Sequence, residues 1–140
     1  MLCFIQVLLL ISCISCTWQA AIKVERWQQI HAKHDQGDAI ILLILDRSHD
    51  EEIQKRNIEA FNYKCKQYPD IQCFYGFQTE SKLGEDFSFV EAHVAPENLP
   101  IMVFFKNAAQ QYLLEPEADG YLNDDQIKRA AEGISSRRPN

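Results

Sequence analysis

The chain reads Ala39-Ile40-Ile41-Leu42-Leu43-Ile44-Leu45 within its first third, and this run contains no polar residue. Its length and its β-branched residues favour a strand over a helix. Because polar residues do not alternate with the apolar ones, both faces of the strand must be covered. The run therefore predicts a central strand of a sheet that has helices on both sides.

Helix and strand patterns alternate around this run. They predict a helix over 22–35, a helix over 50–68, a strand over 71–77, a short helix within 78–98, a strand over 101–105, a return strand over 111–114 and a closing helix over 123–134. Alternating elements argue for parallel strands with right-handed crossovers, and the last hairpin adds an antiparallel edge. We expect an α/β fold, namely a three-layer α/β/α sandwich with a mixed central sheet and a C-terminal antiparallel hairpin.

The first twenty residues are typical of a targeting segment. Residues 2–16 are almost entirely apolar and no charged side chain occurs before Lys23. Because a membrane span needs roughly 20 such residues, we interpret 1–20 as a signal peptide. An uncleaved anchor and a lipoprotein leader (Leu10-Ile11-Ser12-Cys13) are the alternatives. Residues 21–134 then form the domain, and 135–140 a disordered tail.

The charge balance limits the classes of partner. The chain has 140 residues and a formal net charge of −6, all of it outside the leader. An acidic protein is disfavoured as a ligand of nucleic acid or of an anionic membrane surface. We therefore expect no nucleic-acid partner, and no membrane contact apart from the leader.

Two segments in the second half carry a resemblance to a known family. The segment Asn98-Leu99-Pro100-Ile101-Met102-Val103-Phe104-Phe105-Lys106-Asn107 resembles the cis-proline and following strand of thioredoxins. Gly120-Tyr121-Leu122-Asn123, followed by Gln126-Ile127, resembles the junction before their last helix. With the element order, the resemblance covers roughly residues 22–134 and implies a thioredoxin-like fold with a cis peptide at Pro100.

The chain departs from the thioredoxin pattern at the active-site turn. Thioredoxins place Cys-x-x-Cys where the first central strand meets the long helix, but here the junction reads Leu45-Asp46-Arg47-Ser48-His49-Asp50-Glu51-Glu52. Disulfide exchange needs a low-pKa thiolate and a second thiol that resolves the mixed disulfide. We therefore expect no dithiol oxidoreductase activity and no cofactor. The family's first strand is also missing or very short.

The resemblance further implies a groove for an extended polypeptide. In thioredoxin-like proteins, the residue before the cis-proline presents a backbone edge to a substrate. By that resemblance, Leu99 and Pro100 would flank the groove on one side, and Ser48 and His49 on the other. The alternative is that Pro100 merely opens a strand. His49 could likewise be a base assisted by its polar neighbours, or a solvated turn histidine.

The remaining cysteines and histidines leave alternatives open. Cys65 and Cys73 could form a disulfide in an oxidising compartment, remain two buried thiols, or include a reactive thiol. His31 and His34 are three residues apart on a predicted helix, a spacing that suits either two metal ligands or two partly buried side chains. Since no further ligand lies nearby in the sequence, we expect no metal site.

Together these features favour an exported binding protein. We expect a redox-inactive thioredoxin-like module that binds a protein or peptide, as an accessory in folding or assembly. It would be secreted, periplasmic or in an organellar lumen. The alternatives are a divergent thiol-disulfide oxidoreductase that uses a lone cysteine, and a structural subunit of an envelope or secretion complex.

Overall fold

The computed structural model describes residues 20–78 and 99–136. Their strands are β1 (Ile22–Lys23), β2 (Ile40–Asp46), β3 (Gln72–Gln78), β4 (Ile101–Lys106) and β5 (Ala109–Leu114). Their α-helices are α1 (His31–Asp35), α2 (Glu51–Gln67) and α3 (Asp124–Ile134), and a 3-10 turn at Trp27–Gln29 precedes α1. Residues 1–19 of the expected signal peptide, the short helix expected within 78–98 and the last four residues of the expected tail lie outside the described residues.

The described strands form one mixed sheet in the order β1-β3-β2-β4-β5. β3 lies parallel to both β1 and β2, whereas β4 is antiparallel to β2 and to β5. Consequently the end of β2, the end of β3 and the start of β4 all lie at one end of the sheet. We call this end the upper end.

β2 is the centre of the molecule, as its apolar run predicts. Every residue from Ile40 to Asp46 is buried, and the side chains divide between the two faces. Ile41, Leu43 and Leu45 pack under α2 and α3, whereas Ile40, Leu42 and Ile44 pack with Trp27 and Ile30 on the other face. The sheet is therefore covered on both sides, and the fold is the expected α/β sandwich.

Both long helices begin at side-chain caps. The Asp50 carboxylate accepts a hydrogen bond from the Glu52 amide, and the Asn123 side chain accepts from the amides of Asp125 and Gln126. Such caps satisfy amides that have no partner within the helix. The predicted helices over 50–68 and 123–134 are thus found with ends shifted by one residue. Among the described helices, none is both long and apolar enough to span a bilayer.

The predicted helix over 22–35 is wrong in its first half. Ile22 and Lys23 form a strand beside Phe74 and Tyr75, and the Val24 amide donates to the Tyr75 carbonyl at 2.8 Å. The apolar spacing of three that suggested a helix is satisfied by the 3-10 turn and the short α1. Pairing with a distant strand outweighed the local pattern, and the family's first strand is present with two residues.

The β4–β5 connection is tighter than the sequence suggests. Asn107 and Ala108 both have positive φ, of 54° and 56°, and they join two strands that pair at Lys106 and Ala109. These angles match a two-residue hairpin turn with positive φ at both central positions. The return strand therefore begins at Ala109 and not at Gln111.

Candidate functional site

A buried carboxylate occupies the junction between β2 and α2. Asp46 is the last residue of β2, and only 1% of it is exposed. Its Oδ1 atom accepts two hydrogen bonds of 2.8 Å from Ser48, one from the amide and one from the hydroxyl. The turn is therefore built around the Asp46 side chain, and the Ser48 hydroxyl donates to that side chain.

The turn is also held from α2. The side-chain amide of Gln54 donates to the carbonyl of Asp46 at 2.7 Å and to the carbonyl of His49 at 2.9 Å. One side chain thus satisfies two backbone acceptors on either side of Ser48. Because the turn is fixed to both β2 and α2, its side chains have defined positions.

His49 lies over the second oxygen of this carboxylate. Its Nε2 atom is 3.7 Å from Asp46 Oδ2, which is beyond hydrogen-bonding distance, and its side chain is 35% exposed. Within residues 20–78 and 99–136, no donor forms a hydrogen bond with Oδ2. The corner therefore combines a buried acceptor atom with a partly exposed imidazole.

Charged side chains surround this corner. Arg47 is directed towards β1 and β3, since its guanidinium lies 5.9 Å from the ring centre of Phe77 and 3.8 Å from the Glu25 carboxylate. The exposed carboxylates of Glu51 and Glu52 begin α2. The rim of this corner is therefore acidic on the α2 side, whereas on the other side Arg47 interacts with Glu25 and Phe77.

Leu99 and Pro100 lie at the same upper end of the sheet. The β2–β4 ladder ends at the pair Ile44–Ile101, so both residues continue the chain past the last ladder pair, towards the level of Asp46. The Leu99–Pro100 peptide bond is cis, and both side chains are buried. Leu99 packs in the apolar cluster around Trp27 and Phe105. Its backbone, and not its side chain, is therefore the part that could face a ligand.

The two cysteines of the described chain form a disulfide far from this corner. Cys65 lies in the last turn of α2 and Cys73 at the start of β3, with a Cα–Cα distance of 6.2 Å. Both are buried, at 4% and 5% exposure. Since β2 and β3 are parallel, the disulfide lies at the lower end of the sheet, opposite Asp46. It does not occupy the position of a thioredoxin dithiol.

The sequence does contain one Cys-x-x-Cys spacing, at Cys13 and Cys16. These residues belong to the apolar segment 2–16, which lies outside the described residues. The spacing does not restore a dithiol at the β2–α2 junction.

The histidines of α1 form a hydrogen-bonded cluster. His31 Nε2 and His34 Nδ1 each lie 3.1 Å from a different oxygen of Asp35, and the Trp27 indole donates to His31 Nδ1. The His34 ring packs edge-on against Trp27. In the described part of the chain, no three metal-ligating side chains are grouped to hold an ion.

Comparison with known proteins identifies the fold. The structure is similar to a mutant thioredoxin from Halobacterium salinarum NRC-1, with a TM-score of 0.62 and 11% identity over 86% of this chain and 95% of that one. It is also similar to oxidised thioredoxin from Plasmodium falciparum, with a TM-score of 0.60 and 14% identity over 84% of this chain and 100% of that one. The chain has a thioredoxin-like fold.

Thioredoxin O1 from Arabidopsis thaliana is a third structure with this thioredoxin-like fold, with a TM-score of 0.55 and 12% identity over 84% of this chain and 100% of that one. No family model and no curated protein sequence matches the chain. At identities this low the likeness concerns the fold alone.

The sequence indicates Ser48 and His49 as site residues but not Asp46, although both side chains lie against the Asp46 carboxylate. A carboxylate that ends an apolar strand is visible in the sequence, but its burial follows only from tertiary packing. Two open depressions, of about 330 and 580 Å³, lie beside Leu114 and Gln126, between β5 and α3. Neither of these two depressions includes Ser48, His49, Leu99 or Pro100.

Proposed function

We propose that this protein is an exported, redox-inactive thioredoxin-fold module that binds an extended polypeptide at the upper end of its sheet. The observation that carries the proposal is the pairing, at that end, of a cysteine-free β2–α2 turn with the backbone of Leu99 and Pro100. An extended chain could add its backbone hydrogen bonds beyond the Ile44–Ile101 pair, because this form of recognition uses unpaired main-chain groups.

The positions of the two described cysteines support the proposed lack of disulfide exchange. A thiolate that attacks a substrate must be accessible and have its pKa lowered, as at a helix N-terminus. Cys65 and Cys73 are buried, bonded to each other and at the C-terminal end of α2. The start of α2 instead carries Asp50, whose carboxylate caps the helix.

Two features of the chain support the proposed export. The uncharged, apolar residues 2–16 are typical of a signal peptide, and a structural disulfide is expected in an oxidising compartment. Expression of the full chain in a secreting host should yield protein outside the cytoplasm whose intact mass lacks about the first 20 residues. Recovery of the uncleaved chain from the membrane fraction would contradict export as a cleaved protein.

An insulin-reduction assay tests the redox part. The purified protein should not accelerate the reduction of insulin by dithiothreitol above the uncatalysed rate. A C65A/C73A variant serves as the control, because the mature protein proposed here has lost Cys13 and Cys16 with its leader. Turnover by the unaltered protein that disappears in this variant would favour the alternative, an oxidoreductase that uses Cys65 or Cys73. Thiol titration of the native protein gives an independent reading, since the disulfide should leave neither cysteine free to react.

Peptide display tests the binding part. A library of 12-residue peptides should yield binders, and the amide resonances that a bound peptide shifts should be those of residues 47–49, Leu99 and Ile101. Shifts confined to β5 and α3 would place the binding surface elsewhere and contradict the proposed groove. A library that yields no binder at all would contradict the binding function itself.

A further inference from the structure

We infer that the bound polypeptide presents a lysine or arginine side chain to Asp46, with His49 acting as a movable cover. This inference rests on the proposed function, because it names the chemistry of the segment that occupies the same corner. It starts from the one buried side-chain oxygen of this turn that forms no hydrogen bond in the described chain, Asp46 Oδ2.

Only one of the two carboxylate oxygens of Asp46 accepts hydrogen bonds from the described residues. Its Oδ1 atom accepts two hydrogen bonds from Ser48, whereas its Oδ2 atom accepts none from the residues at 20–78 and 99–136. Folded proteins rarely leave a buried polar atom in this state, since its desolvation is not compensated. Such an atom in a candidate site is a place for a donor that arrives with a ligand.

The surroundings of Asp46 select a cationic donor over a neutral one. The carbonyls of Asp46 and His49 are already occupied by Gln54, and the carboxylates of Glu51 and Glu52 begin α2 on the rim. The nearest cation in sequence, Arg47, is engaged with Glu25 and the Phe77 ring. The carboxylates of Glu51 and Glu52 would attract an approaching lysine or arginine side chain. The bound side chain would then donate a charge-assisted hydrogen bond to Asp46 Oδ2.

His49 controls access to Oδ2. Its ring lies 3.7 Å from that oxygen without a hydrogen bond, and its side chain is 35% exposed. A side-chain rotation of His49 would open Oδ2 without any movement of the backbone, which Gln54 holds at the His49 carbonyl. Leu99 and Pro100 directly precede the neighbouring strand β4 at the same end, so a segment aligned on their backbone passes this opening.

Four matched peptides test the inference. The probes are fluorescein-labelled Gly-Ser-Val-Thr-Xaa-Thr-Val-Ser-Gly, with lysine, arginine, norleucine or citrulline as Xaa, measured by fluorescence polarisation at 50 and 300 mM salt. The charged peptides should bind roughly tenfold more tightly than their neutral counterparts, the factor expected from a hydrogen bond to a charged group. Because a contact at a buried atom is screened little, the preference should persist at 300 mM salt.

Two variants assign the preference to Asp46. Asp46→Asn keeps an oxygen for Ser48 and places an amide at the Oδ2 position, so the preference should fall to about twofold or less while norleucine-peptide affinity is unchanged. Glu51→Gln removes an exposed rim charge of the same sign and should keep the preference. If Asp46→Asn does not fold, the His49 ring resonances of the unaltered protein give the answer: the lysine peptide should shift them and the norleucine peptide should not.

The outcomes separate the two proposals. If all four peptides bind with equal affinity and shift the amides of Leu99 and Ile101, the cation inference is overturned and the binding function stands. If the lysine preference is equal in Asp46→Asn and the unaltered protein, the inference is likewise overturned. If none of the peptides binds and the display library also yields no binder, the proposed function fails and the inference fails with it.

Discussion

The disulfide between Cys65 and Cys73 ties the last turn of α2 to the first residues of β3, at the end of the sheet opposite Asp46. The segment between the two cysteines leaves the helix at Tyr68 and enters the strand at Gln72. Ile71 is buried there and its amide donates to the Tyr68 carbonyl at 3.0 Å. The disulfide therefore closes a short helix-to-strand connection and acts on stability.

We predict that Cys65→Ala/Cys73→Ala lowers the free energy of unfolding by about 2–3 kcal/mol, the chain-entropy value for a short closed loop. Urea denaturation of the variant and of the unaltered protein, each without reductant, measures the difference. The peptide-binding affinity should not change, because the disulfide lies at the far end of the sheet. A variant of unaltered stability would show that the connection is already ordered without the bond, and a lost affinity would contradict its separation from the site.

Asp70 gives the fold a dependence on pH. Burial alone would raise the pKa of its carboxyl, but hydrogen bonds from the Ser136 amide and hydroxyl and from the Ser135 hydroxyl lower it below its usual value. A pKa that is lower in the folded than in the unfolded state adds stability above the unfolded pKa of about 4. That stability is lost as the pH falls through the folded pKa.

We therefore predict that Asp70→Asn lowers stability by about 1 kcal/mol at pH 7, a small value for bonds to a charged group because the carboxylate is only partly buried and water screens its charge. The difference between variant and unaltered protein should be constant from pH 7 to about 5 and shrink towards pH 2. Urea denaturation at each pH measures it. Asp119→Asn, another exposed loop carboxylate, is the control. A difference that stays constant down to pH 2 would contradict the role of the Asp70 charge.

The central part of the fold was predictable because its signals are local. An apolar run such as 39–45 can be buried only by layers on both sides, and Asn123 can cap only the helix that follows it. The strand at Ile22 was not predictable, because it exists through hydrogen bonds to a strand about fifty residues away. The local spacing of Trp27 and Ile30 fits a helix equally well.

The site was predictable only in part for a related reason. Ser48 and His49 could be named because they lie at the junction between a strand and a helix, and the sequence pattern predicts that junction. The burial of Asp46 depends on which distant segments pack over the end of β2, and the pairing of Cys65 with Cys73 depends on where α2 ends. Neither of these tertiary contacts can be read from a spacing of residues in the sequence. The sequence therefore leaves three alternatives for the two cysteines, and the structure shows the disulfide.

The β4–β5 turn leads to a stabilising substitution. Ala108 has a φ of 56° and follows Asn107, which has a φ of 54°. An L-residue with a Cβ atom is strained there by roughly 1 kcal/mol, whereas glycine is not. Ala108→Gly should therefore stabilise the protein by about 0.5–1 kcal/mol, since asparagine–glycine is the preferred pair for this turn. Ala60→Gly, on the exposed face of α2, is the opposite control and should destabilise by a similar amount. A destabilising Ala108→Gly would contradict the turn geometry.

The Tyr112 ring lies against Gly133 of α3, where a larger residue would have its side chain. A Cβ atom added at Gly133 would lie 2.5 Å from the Tyr112 hydroxyl oxygen, and the Tyr112 ring packs edge-on against Phe104 at 6.2 Å. Alanine is a better helix former than glycine by up to about 1 kcal/mol. In the Tyr112→Ala background, Gly133→Ala should therefore stabilise the protein by about that amount, whereas in the unaltered protein the displaced ring should cancel the gain. Urea denaturation of the four proteins in this double-mutant cycle measures the coupling, which should reach about 1 kcal/mol. Equal effects in both backgrounds would mean that the Tyr112 ring does not rest on α3.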